Sequence, residues 1–308
     1  MFLAQFFTHI IESYYNEAIH VEDHSSNIII SGNTLVTCGT DAEQTPTDLD
    51  RGGIVVTSGS SDIFITNNVL DHTANLNKLH GIVIKNINGV VTAGGRPMVA
   101  PRKCLVSDNI IKCGKNYQGI WIANVTDATV RGNRIAGAGN AVGADWDDGN
   151  SGSGIKIDGT GSAVDANTVS GFRYGIRGPV VDDGEVDQGV NVWNRRTALG
   201  NPGNVTGNRI TDCYVGVVAV PAASLTISGN TLADCIRPMV VEESEQPDEP
   251  SAVTGNFALR CRFPLEIGGK LILLRTPGGS TVTAGVARVI QIQDNLRSIL
   301  PGTVITFS

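Results

Sequence analysis

A mixture of aromatic, basic and acidic residues occurs at matching positions of several short apolar segments in the middle of the sequence. These residues are Lys85, Trp121, Lys156, Asp158 and Arg177. An aromatic face stacks on a sugar ring, and a few charged groups can hold the hydroxyls or carboxylates of the same ligand. We therefore expect a carbohydrate-binding site in which an exposed Trp121 and Lys85 contact the ligand.

The segment before Lys156 adds carboxylates to this set. Its sequence is GADWDDGNSGSG, which supplies Asp145, Trp146, Asp147 and Asp148. A glycoside hydrolase needs a carboxylic acid and a partner carboxylate, about 5–5.5 Å apart for retention or about 6.5–9.5 Å apart for inversion. Asp158 and one of the three loop aspartates could form this pair, with Trp146 as a further sugar contact.

Other interpretations of the same residues remain open. A polysaccharide lyase needs a base, for which Lys156 and Arg177 are candidates, and an arginine or a calcium ion that neutralises a uronate carboxylate. Lys156, Asp158 and Arg177 could instead form a surface ion-pair ladder without a ligand. No motif decides between these mechanisms. We take hydrolysis or glycosyl transfer without a cofactor as the first hypothesis, and a lyase or a non-catalytic glycan-binding module as the alternatives.

The elements that must position these residues belong to a repeat. One segment ends in asparagine and an apolar residue, as in NIIISGNTL, DIFITNNVL and SLTISGNTL. The asparagines of its nine copies are Asn33, Asn68, Asn109, Asn133, Asn167, Asn208, Asn230, Asn256 and Asn295. The shortest spacing is 22 residues, from Asn208 to Asn230, which is enough for one coil of three short strands. The repeat predicts an all-β protein, a right-handed parallel β-helix of about nine coils.

A second repeated segment supplies the outward column that carries the candidate site. It reads GIVV from Gly53, GIVI from Gly81, GIWI from Gly119 and GIKI from Gly154. Side chains of a strand alternate between its faces, so the second and fourth residues after the glycine should point outward. The second positions are His20, Val55, Val83, Trp121, Lys156, Arg177, Val218, Val240 and Glu266.

Two further columns are predicted to be structural. We place the asparagines in a ladder at a tight corner, because asparagine tolerates the left-handed backbone that such a corner requires and because its side-chain amide can donate and accept along the stack. Five residues after the asparagine lie Cys38, Cys213, Cys235 and Cys261, with Phe172 and Ala138 at the same position. We interpret this second column as an interior stack of free thiols and apolar groups.

The chain divides into a cap and a solenoid. Apolar residues from Phe2 to Tyr15 recur every four positions, which predicts an amphipathic capping helix over residues 1–16. Residues 17–308 form the β-helix, with an irregular last coil at 268–308. Outward valines and an uncapped end favour a homo-oligomer, most plausibly a trimer.

The composition limits the class of partner. A net charge of −7 without a basic face disfavours nucleic acid. We expect no membrane partner, because no apolar run is long enough to span a bilayer. No secretory signal is visible in the sequence. An extracellular location, or a place on a virion or cell surface, is nevertheless expected for a polysaccharide- or oligosaccharide-binding solenoid.

The repeated strands, the asparagine ladder and the variable loops resemble the pectate lyase-like superfamily of right-handed parallel β-helices over residues 17–267. That superfamily includes polysaccharide lyases, glycoside hydrolases, fructan-transferring enzymes, epimerases and viral tailspikes, so the resemblance implies a fold and a carbohydrate ligand without choosing a reaction. The sequence lacks the paired-aspartate and GHG signatures of polygalacturonases, the DPHD-like motif of alginate epimerases and a clear pectate lyase arginine motif.

Overall fold

The structure of the chain, a computed structural model, consists of three parallel β-sheets wound into a solenoid. It describes residues 4–12, 17–22, 24–36, 52–57, 59–73, 80–85, 101–114, 118–123, 125–139, 152–158, 162–177, 203–219, 226–241, 252–261, 265–267, 270–275, 288–291 and 304–306. Each regular coil among the described residues contributes one strand to each sheet, and the inner strands pair in parallel with the equivalent strands of the coils before and after them. The predicted right-handed parallel β-helix is therefore confirmed.

The first sheet, sheet A, has ten strands among the described residues. They are β1 (Ala4–Phe7), β4 (Ser26–Ser31), β7 (Ser61–Thr66), β10 (Arg102–Ser107), β13 (Thr126–Arg131), β16 (Ala163–Asp165), β19 (Asn204–Thr206), β22 (Thr226–Ser228), β25 (Ala252–Thr254) and β30 (Val304–Thr306). Sheet B follows sheet A around each corner that carries a repeat asparagine, and the part of the chain that the structure describes contributes nine strands to it. They are β2 (Ile10–Glu12), β5 (Thr34–Val36), β8 (Val69–Asp71), β11 (Ile110–Lys112), β14 (Arg134–Ala136), β17 (Thr168–Ser170), β20 (Arg209–Thr211), β23 (Thr231–Ala233) and β26 (Phe257–Leu259).

Sheet C holds the glycine-led strands that carry the candidate site. Its strands are β3 (Ile19–Val21), β6 (Gly52–Thr57), β9 (His80–Lys85), β12 (Ile120–Ala123), β15 (Ser153–Asp158), β18 (Tyr174–Arg177), β21 (Val215–Ala219), β24 (Arg237–Val241), β27 (Leu265–Ile267), β28 (Lys270–Arg275) and β29 (Arg288–Gln291). The last two pairings, β27 with β28 and β28 with β29, are antiparallel, and they end the regular coils.

The predicted N-terminal capping helix is wrong. Residues 4–7 form β1, which pairs with β4, and residues 10–12 form β2, which pairs with β5. The first coil of the solenoid is therefore β1–β3. Apolar residues spaced four apart fit a strand as well as a helix, because four is also a multiple of the strand period of two. The open edges of β4 and β5 supply pairing partners that a helix would not use.

The asparagine ladder is confirmed from Asn33 to Asn256. From Asn33 to Asn230, the side-chain nitrogen of each asparagine donates to the side-chain oxygen of the asparagine on the next coil, at distances of 2.8–3.0 Å. From Asn68 onward the same nitrogen also donates to a carbonyl of sheet A on the preceding coil. All eight side chains are buried. Asn295 lies outside the described residues.

The left-handed residue at this corner is the one before the asparagine, not the asparagine itself. Gly32, Asn67, Asp108, Ala166 and their equivalents have φ between 54° and 69°. The ladder asparagines are not among the residues with positive φ. The predicted backbone reason for asparagine at the corner is therefore wrong, whereas the other predicted reason, a side-chain amide that donates and accepts along the stack, is confirmed.

The core of the solenoid is filled by the inward residues of the three sheets. Ile82, Ile84, Ile120 and Ile122 of sheet C belong to it, as do Leu70 and Ile111 of sheet B. Gly119 begins its sheet C segment because a Cβ there would lie 2.6 Å from the Gly154 carbonyl oxygen and would overlap the Ile135 side chain.

The cysteine column is interior, with one exception. Phe172, Cys213 and Cys235 are buried in the core and Cys261 packs against it. Ala138, predicted to share the column, is exposed. Gly137 occupies the neighbouring position, and the Phe172 ring lies against it. Cys38 lies outside the described residues.

Candidate functional site

The outer face of sheet C aligns the predicted column, which we call the central column. Cα pairing joins His20, Val55, Val83, Trp121, Lys156, Arg177, Val218, Val240 and Glu266 in this order. On one side lies the downstream column, in which Thr57, Lys85, Ala123 and Asp158 pair in turn. The register predicted from the glycine-led segments is therefore confirmed.

Two lysines lie against the indole of Trp121. The Lys85 ammonium is 4.9 Å and the Lys156 ammonium 5.1 Å from its ring centroid. Lys156 is the register partner of Trp121, and Lys85 pairs with Ala123, two residues further along the same strand. A cation within about 6 Å of an indole centroid is attracted by the negative face of the ring. The ring therefore holds ammonium groups from the coils on both sides of it.

The expectation that Trp121 is exposed is wrong. The residue points outward, yet its relative exposure is only 7%. With Val55 and Val83 it forms a second apolar cluster, separate from the core and on the opposite side of sheet C. Because the indole is covered and is contacted by two lysines, it does not offer an open stacking surface in this structure.

The next coil repeats the pairing of a cation with an aromatic ring. The Arg177 guanidinium lies 4.7 Å from the Tyr174 ring centroid, and that of Arg173 lies 5.6 Å from it. Arg177 is 3% exposed, whereas Tyr174 and Lys156 are partly exposed. These residues therefore place four cations against two aromatic rings over four successive coils, and the two lysines, Lys85 and Lys156, are partly exposed.

Sequence reasoning missed a third column, formed by the residue that precedes each sheet C glycine, or Pro238 in β24. We call it the upstream column. It contains Gly52, His80, Gln118, Ser153, Tyr174, Val215 and Arg237. The series of polar residues before successive Gly-Ile pairs was visible in the sequence and could have revealed it.

A chain of hydrogen bonds runs along the upstream column. The Gln118 backbone N–H donates to His80 Nδ1 at 3.0 Å, and the Ser153 backbone N–H donates to Gln118 Oε1 at 2.7 Å. Because Nδ1 of His80 accepts, a neutral ring carries its proton on Nε2. The His80 ring meets the Trp121 ring edge to face, with centroids 5.1 Å apart. His80 thus fixes the orientation of the indole.

His80 and its neighbour His72 are held neutral. Burial, followed by the charges of Lys156, Lys85 and His72, lowers the pKa of His80 to about 3. Burial also lowers the pKa of His72 to about 4, against the opposing effects of Asp71 and a hydrogen bond with the His80 backbone. Neither imidazole therefore adds positive charge to the lysine cluster at neutral pH.

The predicted carboxylates are described only in part. The backbone of Asp158 ends β15, two residues beyond Lys156, and its Cα pairs with Ala123. Asp145, Trp146, Asp147 and Asp148 lie outside the described residues. The structure thus brings Lys85, Trp121, Lys156 and Arg177 together.

Two other kinds of site are absent from the described residues. No group of three histidine, cysteine, aspartate or glutamate side chains there could hold a metal ion. No helix in that part of the chain is long and apolar enough to cross a membrane.

The fold places the chain in the structural class of right-handed parallel β-helices, with its distinctive groups on the outer face of one sheet. The sequence matches no protein-family model and has no significant match among curated proteins.

Proposed function

We propose that this β-helix binds a polysaccharide or oligosaccharide along the outer face of sheet C and cleaves its glycosidic bonds. The observation that carries the proposal is the pair of lysines on Trp121, 4.9 and 5.1 Å from the ring, continued by Arg177 on the next coil. Strands of neighbouring coils are about 4.8 Å apart, a spacing comparable with one sugar residue. A glycan running along the solenoid axis would meet several of these cationic groups along its length.

The charge of these groups favours an acidic glycan. An ammonium or guanidinium group forms charge-assisted hydrogen bonds with carboxylates that are stronger than its bonds with neutral hydroxyls. Lys85 and Lys156 are partly exposed and would make the first contacts, whereas Arg177 is buried and would bind only a group that reaches into the face. Because the chain as a whole carries a net charge of −7, an acidic glycan should be attracted to this local group of cations and not to the protein in general.

Two cleavage mechanisms follow from the residues available. In the hydrolase or glycosyl-transferring mechanism, one carboxylate among Asp158, Asp145, Asp147 and Asp148 protonates the leaving oxygen while another attacks the sugar or activates water. In the lyase mechanism, Lys156 or Arg177 removes the proton next to a uronate carboxylate. The cations on this face favour the lyase, and Asp158, two residues beyond Lys156 in β15, supports the hydrolase. In the lyase case, calcium on the loop aspartates could assist.

A single assay separates these possibilities. The protein is incubated with a panel of neutral and acidic polysaccharides, and new reducing ends and the ultraviolet absorbance of unsaturated products are both recorded. Reducing ends without unsaturation indicate hydrolysis, and both signals together indicate a lyase. Saturable binding without either product would contradict the enzymatic proposal and indicate a glycan-binding module.

Variants connect the activity to this face. Replacing Lys85 and Lys156 by alanine should weaken binding of an acidic glycan by roughly tenfold or more and reduce its salt dependence. Lys112→Ala is the matched control, because Lys112 is an exposed lysine on sheet B that pairs with Asp71. Asp158→Asn should lower turnover by about 10²–10⁴-fold if Asp158 acts as acid or base. Full activity in the double lysine variant would show that the active site does not lie on this face.

A further inference from the structure

Three cysteines occupy equivalent positions on consecutive coils at one corner of the solenoid. They are Cys213, Cys235 and Cys261. They lie two residues after Thr211, Ala233 and Leu259, respectively, which are register partners on β20, β23 and β26. Each sulfur donates to the carbonyl oxygen two residues before it, at 3.4–3.6 Å. All three are free thiols. The corner therefore stacks three thiols at the spacing of parallel strands.

This spacing suits a bond between coils. Neighbouring strands are about 4.8 Å apart, and the Cα atoms of disulfide-bonded cysteines are usually about 4.4–6.8 Å apart. The Cys261 sulfur also contacts the Leu232 carbonyl oxygen at 3.5 Å, on the strand that leads to Cys235. The Cys261 side chain therefore already reaches toward the preceding coil.

The three thiols differ in exposure and in acidity. Cys213 and Cys235 are buried, whereas Cys261 is partly exposed. Burial raises the pKa of Cys213 to about 12. A hydrogen bond between the other two thiols lowers the pKa of Cys261 and raises that of Cys235. A thiolate is the nucleophile in disulfide exchange, so Cys261 is the sulfur that a reagent in solution meets first.

We propose that Cys261 and Cys235 form an oxidant-dependent disulfide that links the last two complete coils, β22–β24 and β25–β27, and that a low-molecular-weight disulfide such as oxidised glutathione drives its formation. The Cys261 thiolate attacks one sulfur of the oxidant, forms a mixed disulfide and releases one glutathione thiolate. The Cys235 thiol then gives its proton to that thiolate, and its sulfur attacks the Cys261 sulfur and releases the second glutathione thiolate. Two protein thiols are oxidised and one glutathione disulfide is reduced.

The link closes a segment of 26 residues between Cys235 and Cys261. A disulfide around a segment of this length restricts the unfolded chain and stabilises the folded one. The oxidised form should have a melting temperature higher by several degrees, on the order of 5 °C. The proposal depends on the corner of sheets B and C and not on any sugar ligand.

The test uses the folded full chain in buffered mixtures of reduced and oxidised glutathione, followed by acid quenching and alkylation of the remaining thiols. Peptides are then identified by mass spectrometry after digestion with a protease that does not cut at arginine, because Arg260 and Arg262 flank Cys261. The expected product is a Cys235–Cys261 peptide pair that has lost two hydrogens, together with a rise in melting temperature that dithiothreitol reverses.

Three variants test the order of the steps. Cys213→Ser should form the same link, Cys261→Ser should form neither the link nor an early glutathione adduct, and Cys235→Ser should stop at a glutathione adduct on Cys261. If a serine variant does not fold, the rate of alkylation of each thiol in the unmodified chain provides the test, and Cys261 should react first. A Cys213–Cys235 link, an initial adduct elsewhere, or no link in fully oxidised glutathione would overturn the proposal.

Discussion

Removing one asparagine from the ladder tests how the coils are held together. In Asn230→Ala, the side chain that bridges three coils is lost. Its nitrogen donates to the Val205 carbonyl oxygen at 2.9 Å and to Asn256 Oδ1 at 2.8 Å. Its oxygen accepts from the backbone and the side-chain nitrogens of Asn208, both at 2.9 Å.

The size of the destabilisation depends on which hydrogen-bond partners of Asn230 keep another hydrogen bond in the variant. Asn256 Oδ1 still accepts from the Asn230 backbone, and the Asn208 side chain still donates to the Val164 carbonyl oxygen. The Asn208 backbone N–H loses Asn230 Oδ1 as its acceptor and stays buried, which costs about 2 kcal/mol. The two hydrogen bonds that the Asn230 side-chain nitrogen donated, to Val205 and to Asn256, are also lost and add about 1 kcal/mol each. We expect the free energy of unfolding to fall by about 4 kcal/mol and the melting temperature by on the order of 10 °C.

The matched control is Asn204→Ala. Asn204 is an exposed strand residue in the coil that contains Asn208, and its loss should change the free energy of unfolding by less than about 0.5 kcal/mol. Both variants are compared by thermal and denaturant unfolding. Hydrogen exchange monitored by mass spectrometry should show faster exchange of the Asn208 amide in Asn230→Ala alone.

Equal stability of the two variants would refute the reasoning. It would mean that water or a rearranged corner satisfies the Asn208 N–H at no net cost. Slow exchange at Asn208 in Asn230→Ala would lead to the same conclusion independently of the melting temperature.

Three further predictions follow from the folded chain. His72 and His80 have folded pKa values of about 4 and about 3, below the usual 6.5, so their neutral forms are favoured by folding. The contribution of these histidines to the free energy of unfolding should be complete above pH 6.5. Below pH 6.5, the free energy of unfolding should fall by up to about 1.4 kcal/mol per histidine for each pH unit. A melting temperature that stays unchanged between pH 7 and pH 5, a range above the titration of ordinary carboxylates, would contradict this. Gly119→Ala should destabilise the protein by more than about 2 kcal/mol, because the added Cβ overlaps the next coil. Gly203→Ala is the control and should be tolerated, since its added Cβ would lie no closer than 3.8 Å to another atom, the Ser162 carbonyl oxygen. Similar denaturation midpoints for the two variants would show that the coils can shift to make room. The predicted trimer should give three times the chain mass in light scattering at micromolar concentration, and a monomer mass would exclude it.

One argument for the trimer is weaker in the folded chain. Val55, Val83 and Val218 point outward on sheet C and were expected to need a covering neighbour. All three are already buried within the single chain, and Val240, the fourth outward valine in the argument, is partly exposed. Light scattering therefore tests the oligomer itself, since these valines no longer require one.

The repeat alone determined the coil, the ladder and the register. A strand pattern that recurs beside an asparagine allows one stacking, because a shift by one residue would turn the inward face of every strand outward. For this reason the order of Val83, Trp121, Lys156 and Arg177 along the outer face could be predicted, and the Cα pairing confirms it.

Contacts between residues distant in sequence decided the structure of the first coil and the burial of the outward side chains. Residues 4–12 could be helix or strand by their own periodicity, and pairing with β4 and β5 selected the strand. Periodicity also says which way a side chain points but not whether another part of the chain covers it. Trp121 therefore proved to be buried against His80 and two lysines, a burial that depends on residues distant in sequence and that no local pattern encodes.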